Sequence, residues 1–570
     1  MSGSIWQRAA TFAVLSCDIF DTLIHRVLAR PEDVFLAVGL RGETAGLITV
    51  SAADFAVHRQ TAERVTRAAA EAAGFDEVRI AEIYDFLAAL GIVTSAERMA
   101  RLEFETECDV CRPIAAVQQE LARIDPARVV FASDTILPGK WLAELLDRCG
   151  YGGGLRVFCS ADLRLSKHTG RLFPAMAAAL GVPPAEIMHI GDNDVSDVIR
   201  AKAAGFACEH LPAPRARAED DPAPHPIVRL ADSLARTRAL TDDGDAADDG
   251  RWLGGMAAPL VIGFSLFVLQ EARRRGITRL YFLARDGYLP MAIVARLLDL
   301  RGERADYSLI YLHLSRASAT EQARNYLAAS GFLDPGPRLV VDLGWRGSIQ
   351  TALTEFLPLG DLSGCYLGLW QAALRDGFGP REASGYVCAF GAPVHRTAIL
   401  REGYIVPELI FSAPHGTVLS HTQGVGAAPV HATETGDAGE TRRAAFAALE
   451  DTILDTFDTL TRLIGRIWPE AIDADSALAP LRDLLTAPST AAVARVNRIP
   501  FIHDATGEVL LSAVNPLPWH EALRGPRRAL RRLDNAPWRA GAIRAALPPF
   551  IPFMPWDVLK YRVERILRAR

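Results

Sequence analysis

The feature that most constrains this chain is a set of short apolar runs, each of which stops at a polar tip. The run from Thr11 to Cys17 ends abruptly in Asp18-Ile19-Phe20-Asp21-Thr22-Leu23. That pattern predicts a buried strand delivering polar groups at its carboxyl end. RVVFAS, LRVFCS and EIMHIGD repeat the pattern, separated by the helix-like WLAELLDRCG and LFPAMAAALG. Such alternation predicts an α/β fold with a parallel, doubly wound sheet. Ligands of these sheets bind outside the carboxyl ends of the strands, where the scattered tips would meet. Between Arg30 and about Asp125 the spacing becomes helical, as in FAVHRQTAERVTRAAAEAA and IAEIYDFLAAL, and predicts a helical insert after the first strand.

At 570 residues the chain is too long for one ordinary core, and two substantial domains are expected. From about Glu209 to Gly250 it is rich in Pro, Ala and Asp, a composition that buries little and suits a linker around one short helix. A second alternating block follows: PLVIGFSLFVLQEARRRG as helix, RLYFLARDG as strand and loop, LPMAIVARLLDL as helix, then the strands SLIYLHLSR and RLVVDLGWRGS. This block too reads as α/β. The stretch GVGAAPVHATETGDAGET then leads into a helical region beginning near Arg442. The expected organisation is a domain over 1–210 with its insert at about 26–125, a linker over 211–250, a second α/β domain over 251–425, and a helical region over 426–570.

The formal charge of −6 is slight for this length and argues against a general nucleic-acid binder. The first residues lack a cationic stretch followed by a long apolar run, and no later segment is expected to reach the roughly 18 to 20 uncharged residues of a membrane span. A cytoplasmic protein is expected. Eight irregularly spaced cysteines fit a compartment where thiols stay reduced. Cys108 and Cys111 form a C-x-x-C within a helical pattern that no second pair or nearby histidine completes, so no metal role is expected of them.

Four strand tips carry the chemistry. Asp18 and Asp21 follow the first strand; buried acids at strand ends are costly without a purpose, although a single such acid often only caps a turn. Ser133, followed by Asp134, ends the second strand and can hydrogen-bond a phosphoryl oxygen. Lys167, in SKHTG, can neutralise a phosphoryl group and an attacking carboxylate. GDNDVSD places Asp192, Asp194 and Asp197 on a loop entering a helix, the hard oxygen ligands that Mg²⁺ prefers. Taken singly, each has an ordinary reading as cap, turn or surface residue.

As an ordered set, DIFDTL, ASD, SKHTG and GDNDVSD resemble the four motifs of the haloacid dehalogenase (HAD) superfamily, over roughly the first third of the chain. The resemblance implies a Rossmannoid parallel sheet with an inserted helical cap that closes over the site. It implies that Asp18 attacks phosphorus to form an aspartyl-phosphate while Ser133 and Lys167 hold the phosphoryl group. It further implies Mg²⁺ held by Asp18, the Phe20 carbonyl and Asp192, with Asp197 acting directly or through water, and Thr22 steadying the loop. One departure matters: phosphatases of the superfamily usually carry an aspartate acid/base at the position Phe20 occupies. Asp21, one residue on, is the alternative acid/base. Dehalogenating members also lack that acid, but Lys167 and the GDN loop suit a phosphoryl group and Mg²⁺ better than a haloacid.

In the second block, YFLARDGYLP and LVVDLGWRGSIQ are strand-loop-helix junctions of the kind that cradle anions. Arg285, Asp286, Asp342, Arg346 and Ser348, with Arg316 in HLSRAS, are the candidate contacts; ordinary βα turns with capping residues would look the same. The loops lack the acidic pair and threonine-rich loop of phosphoribosyltransferases. FLARDGY, GWRGSIQ and the Glu408–Gly416 stretch, together with DIFDTL, resemble HAD proteins encoded with surface-polysaccharide biosynthesis enzymes. That implies a phosphosugar or nucleotide-sugar substrate, with His415 as a candidate second-site residue.

From Glu521 onward twelve Arg or Lys face four Asp or Glu, interspersed with Trp, Phe and Pro. This basic tail suits either peripheral contact with anionic lipid or packing on the acidic body of the protein. The expected function is therefore a Mg²⁺-dependent phosphohydrolase or phosphotransferase acting on a phosphorylated small molecule. Two alternatives stand beside it: glycosyl or phosphoribosyl transfer in the second domain with an accessory HAD domain, and a non-catalytic binding or assembly role in which Phe20 marks a degenerate site.

Overall fold

The structure, a computed structural model, describes residues 3–212, 225–238, 245–356, 361–370, 382–389, 391–424, 426–465, 468–502 and 510–514, with 524, 526–547, 555–556, 559–560 and 563 near the carboxyl end. Two units divide the chain: Met1–Asp221 with Leu460–Gly465, and Pro222–Thr459 with Arg466–Arg570.

The apolar runs of the first unit form a five-stranded sheet, β1 (Val14–Cys17), β2 (Val129–Ser133), β3 (Val157–Cys159), β4 (Ile187–Gly191) and β5 (Ala207–His210). They lie in the order β3-β2-β1-β4-β5, and every pair is parallel. Cys17 is in register with Phe131 on one side and Ile190 on the other, so the tips after β1, β2 and β4 emerge together. Apolar side chains such as Val130, Ala132, Phe173, Met176 and Ile187 form the core on one face. Because the chain leaves β1 first towards β2 and later towards β4, the sheet order reverses at β1, where a crevice opens at the carboxyl edge.

The insert leaves and rejoins the sheet through two short antiparallel strands, Ile24–Arg26 and Cys111–Pro113. Four helices lie between them, Asp33–Thr44, Ala52–Ala72, Ile80–Ala89 and Ala96–Val110. Ser51 and Ser95 cap the second and fourth by accepting from the backbone N–H of Asp54 and Arg98. The helices close around a buried charge pair: Arg59 donates to Glu103 at 2.8 and 2.7 Å, and Tyr84 Oη donates to the same carboxylate at 2.6 Å.

The second unit holds another parallel sheet, of β6 (Arg279–Leu283), β7 (Ser308–Leu312), β8 (Arg338–Trp345), β9 (Leu362–Leu369) and β10 (Ala383–Cys388). Its order is β10-β9-β8-β6-β7, which places the reversal between β6 and β8. The junctions RDG and GWRGS therefore flank that crevice.

Two expectations about burial are corrected. The acidic run expected to bury little ends in a buried helix start: Asp248 and Asp249 are 1% and 0% exposed. Arg251 pairs with Asp248, while Arg495 and Arg498 hold Asp249 at 2.9 and 2.6 Å. The helix that begins there, Ala246–Arg275, carries no charge from Trp252 to Gln270, contrary to the expectation that no such run exists. It is long and apolar enough to cross a membrane, and 83% of its apolar window is buried. Gly250 and Gly254 allow this burial, since a Cβ on either would meet the backbone oxygen of Ala445 or Leu449 at 2.0 or 2.8 Å.

Part of the basic tail is also packed. Trp538, one of the aromatics expected at a lipid surface, is fully buried and donates from Nε1 to the Leu484 carbonyl at 3.2 Å. Arg539 pairs with Glu402 at 3.0 Å. Most of the segment from 548 onward, including Phe550 and Phe553, lies outside the described residues, as does most of 211–224.

Candidate active site

The sheet brings the four tips to one place. Asp18 follows β1, its N–H bonded to the Ile190 carbonyl at 2.9 Å. Lys167 reaches in between two acids, its Nζ 2.5 Å from Asp18 Oδ1 and 2.6 Å from Asp197 Oδ1. Asp18, Lys167 and Asp197 are all buried, and Ser133 is buried at the end of β2. A carboxylate oxygen from each of Asp18, Asp192 and Asp197 lies within 4.8 Å of the others.

Several groups hold this arrangement. Asp134 accepts from the backbone N–H of Lys167 at 2.7 Å and of His168 at 2.9 Å, fixing the lysine loop from below. Asp197 sits on a π-type turn, Asp194–Ile199, a winding often found at functional sites. Asn193 Oδ1 accepts from the N–H of Val195 and Ser196, and Asp197 Oδ2 from the N–H of Asn193 at 3.0 Å. His189, inside β4, donates from Nε2 to Asp197 Oδ1 at 3.1 Å while its Nδ1 meets Ser16 Oγ at 2.8 Å. Gly191 must lack a side chain here, because a Cβ would lie 2.3 Å from the Asp197 carboxylate. Asp194 is instead exposed and pairs with His210 at 3.3 Å.

Burial raises the Asp18 carboxyl to about 7, Lys167 opposing and Asp197 adding to the rise. Burial also works against the Asp197 charge, but Lys167 and His189 hold that group below the usual carboxylate range. Carboxylate oxygens of Asp18, Asp192 and Asp197 thus converge beside one ammonium, a hard-oxygen set that a divalent cation would draw together. Thr22 Oγ1, on the loop that follows Asp18, is buried with no hydrogen-bond partner. The hard-oxygen donor set fits Mg²⁺.

Phe20 has a different job from an acid. The Arg26 guanidinium lies 4.4 Å from the centroid of its ring, and Arg26 in turn binds Glu107 through Nε and Nη2 at 2.9 and 3.1 Å. The position is thereby tied to the neck of the helical insert. Asp21 has a left-handed backbone, φ 58°, and its charge acts on His25 and Arg26.

An open cleft of about 730 Å³ lies where the insert meets the sheet, lined by Arg67, Asp76, Asp134, His168 and Arg171 among others. Asp76, from the insert, accepts from the Ser166 N–H at 3.0 Å and from Thr169 Oγ1 at 2.6 Å, joining the insert to the lysine loop.

No family model matches the chain, and no curated protein matches it. Solved structures do. A defluorinating L-2-haloacid dehalogenase is 19% identical, covers 37% of this chain and 86% of its own, and gives a TM-score of 0.28. L-2-haloacid dehalogenase from Xanthobacter autotrophicus is 17% identical over 37% of this chain and 79% of its own, TM-score 0.26. A HAD phosphatase from Thermococcus onnurineus is 16% identical over 36% and 89%, TM-score 0.25. Likeness at this level carries no functional information; the residues at the strand tips carry it.

At the reversal point of the second sheet, the Asp286 and Asp342 carboxyls hydrogen-bond to each other. Burial and Asp342 push the Asp286 carboxyl well above the usual range, and burial raises that of Asp342 to about 6. Glu408, which accepts from Trp345 Nε1 at 3.1 Å, is likewise raised by burial and by Asp286. Arg285 adopts a left-handed φ of 70°, its Nε buried without a partner. Arg316 donates to Ser348 Oγ at 3.2 Å, and Arg346 is exposed. Glu408 opens the Glu408–Gly416 stretch that the sequence sets apart, but nothing in that stretch marks it as a neighbour of Trp345 and Asp286. His415 is not alone, as His313 and His431 lie against it.

Proposed function

We propose that the first unit is a Mg²⁺-dependent phosphoryl-transfer enzyme of the HAD type in which Asp18 is the nucleophile. The observation that carries this reading is the Lys167 ammonium bridging buried Asp18 and Asp197, with a carboxylate oxygen of Asp192 within 4.8 Å of theirs. Asp18, Asp192 and Asp197 would hold the ion, with the Phe20 carbonyl as the resemblance implies. Bound Mg²⁺ would supply positive charge to the phosphoryl oxygens, so that an anionic carboxylate can approach them.

The protein's own groups do the rest. Asp134 and Asp197 hold Lys167 so that it can shift from Asp18 towards a phosphoryl oxygen. Ser133 stands at the neighbouring tip as a hydroxyl donor. Asp18 then attacks phosphorus as the leaving oxygen departs, and water or an acceptor hydroxyl releases the aspartyl-phosphate. No side chain at position 20 can protonate the leaving oxygen, so the reaction favours groups that depart as stable anions. The substrate is a phosphorylated small molecule of the phosphosugar or nucleotide-sugar class, best one whose leaving oxygen belongs to a phosphate rather than to an alkyl group, and its remainder would occupy the cleft beside His168 and Arg171.

The test is a panel of phosphosugars, nucleotide sugars and aryl phosphates with Mg²⁺. Phosphate release that Asp18→Asn abolishes supports the reading; release unchanged by that substitution refutes it. The adjoining Asp286 and Asp342 carboxyls, both shifted upward beside Glu408, favour a second reading, glycosyl transfer at the second crevice. That activity would survive Asp18→Asn and be lost in Asp342→Asn.

A further inference from the structure

His313 directly follows β7, His415 lies in the loop before the strand Val418–His421, and His431 ends the antiparallel strand Pro429–His431. Their ring centroids are 5.2, 5.0 and 4.6 Å apart, and one nitrogen from each lies within 4.8 Å of the others. His313 Nδ1 and His431 Nε2 are separated by 3.0 Å. The edge of a tetrahedron with metal–nitrogen bonds of ~2.0–2.1 Å is about 3.3 Å, so the two rings stand almost at ligand spacing.

The surroundings orient the rings as metal-binding imidazoles require. His415 Nδ1–H donates to the Gly416 carbonyl at 2.9 Å, which leaves Nε2 as the lone-pair nitrogen, 2.8 Å from Tyr311 Oη. Carbonyl partners of this kind fix the tautomer of metal ligands. His313 is held at both backbone groups: its N–H donates to Tyr326 Oη at 2.8 Å, and its carbonyl accepts from His421 Nε2 at 2.7 Å. A hydrogen bond between His313 and His431 would explain their approach but not the convergence of a third ring. All three are half-buried, within reach of ions from solvent.

We propose that His313, His415 and His431 form a site for a divalent transition metal of the Zn²⁺ class, with its fourth position open to water or an incoming ligand. Three neutral nitrogens with no carboxylate suit Zn²⁺, Co²⁺, Ni²⁺ or Cu²⁺ and not Mg²⁺. Three protein ligands with one open position is the arrangement of catalytic rather than closed structural sites. The site adjoins the crevice of the second sheet, since Tyr311 Oη, which meets His415, also accepts from the Arg285 N–H at 2.8 Å.

The test titrates Co²⁺ into the untagged, metal-stripped full chain. One equivalent is expected to give the visible absorption of four-coordinate cobalt, to be displaced by Zn²⁺, and to persist in Asp18→Asn. His431→Ala and His313→Gln, checked for folding by circular dichroism, are expected to weaken binding by more than the ~100-fold that losing an outer partner can cost. X-ray absorption of the zinc-loaded wild-type chain reads the ligands independently of any variant, and three imidazoles are expected. No stoichiometric cobalt signal in the wild type, a signal retained by both folded variants, or an oxygen-only ligand shell overturns the proposal.

Discussion

The guanidinium of Arg26 rests 4.4 Å from the centroid of the Phe20 ring, where the superfamily resemblance leads one to expect a proton donor. A general acid is typically worth ~10²–10⁴-fold when the leaving group is poor. With Mg²⁺, p-nitrophenyl phosphate is therefore expected to turn over at least ~10²-fold faster than a simple alkyl phosphate. Initial rates on the two substrates check this, and a ratio near one would show that another group supplies the proton.

The same contact limits repair of the site. An aspartate at position 20 would be held ionised by Arg26, as a neighbouring cation favours the charged form. Phe20→Asp alone is expected to leave the alkyl-phosphate rate nearly unchanged, and Phe20→Asp with Arg26→Leu to exceed it by about tenfold or more, within the range of acid catalysis. Equal rates for the two variants would disprove the role given to Arg26.

Burying Asp18 costs stability when no cation is present. Its carboxyl titrates at about 7 in the folded chain against an ordinary 3.8, so the unfolded chain releases that proton first and stability falls as pH rises between those values. In EDTA, Asp18→Asn is expected to melt several degrees above wild type at pH 8 and with it near pH 4, given that ~1 kcal/mol moves the Tm of a large domain by ~2–4 °C. Thermal scans at both pH values decide; a variant less stable than wild type at pH 8 contradicts the sign.

Much of this was legible in the sequence. The alternation of apolar runs and helices marked both parallel sheets, because a strand buried on both faces leaves a continuous apolar signature that ends where the chain meets solvent. Asp18, Ser133 and Asp192 stand at such ends, whereas Lys167 comes after the short helix Ser160–Leu163 and Asp197 lies inside the turn Asp194–Ile199. His189 was not legible, since within MHIG it reads as one more core position and its bond to Asp197 depends on how the following turn winds. Asp248 and Asp249 looked like solvated linker because composition cannot register Arg495 and Arg498, which arrive from far along the chain. The three histidines obey no local spacing, and only the hairpin ending at His431 brings them together.

His189 is expected to matter through Asp197. Losing an outer partner of a metal ligand typically costs ~10–100-fold in affinity, and His189→Leu should weaken Mg²⁺ binding by that much while the fold is retained. Isothermal titration measures it. Unchanged affinity would mean that Lys167 and the Asn193 N–H suffice to place Asp197.

In the helical insert, Arg59→Met would leave the Glu103 charge buried beside Tyr84. Breaking a buried pair from one side costs ~3–5 kcal/mol, while replacing both partners by apolar groups is often neutral. Urea unfolding should show that loss in Arg59→Met and recovery in Arg59→Met with Glu103→Leu.

The central claim, that Asp18 takes up the phosphoryl group, is tested most directly by trapping it. The full chain is mixed with Mg²⁺ and an aryl phosphate, quenched in acid, reduced with borohydride and sequenced by mass spectrometry. The expected result is homoserine at position 18 in the wild type and none in Asp18→Asn. Phosphate release without modification of Asp18, or with the mark on another residue, would contradict the account.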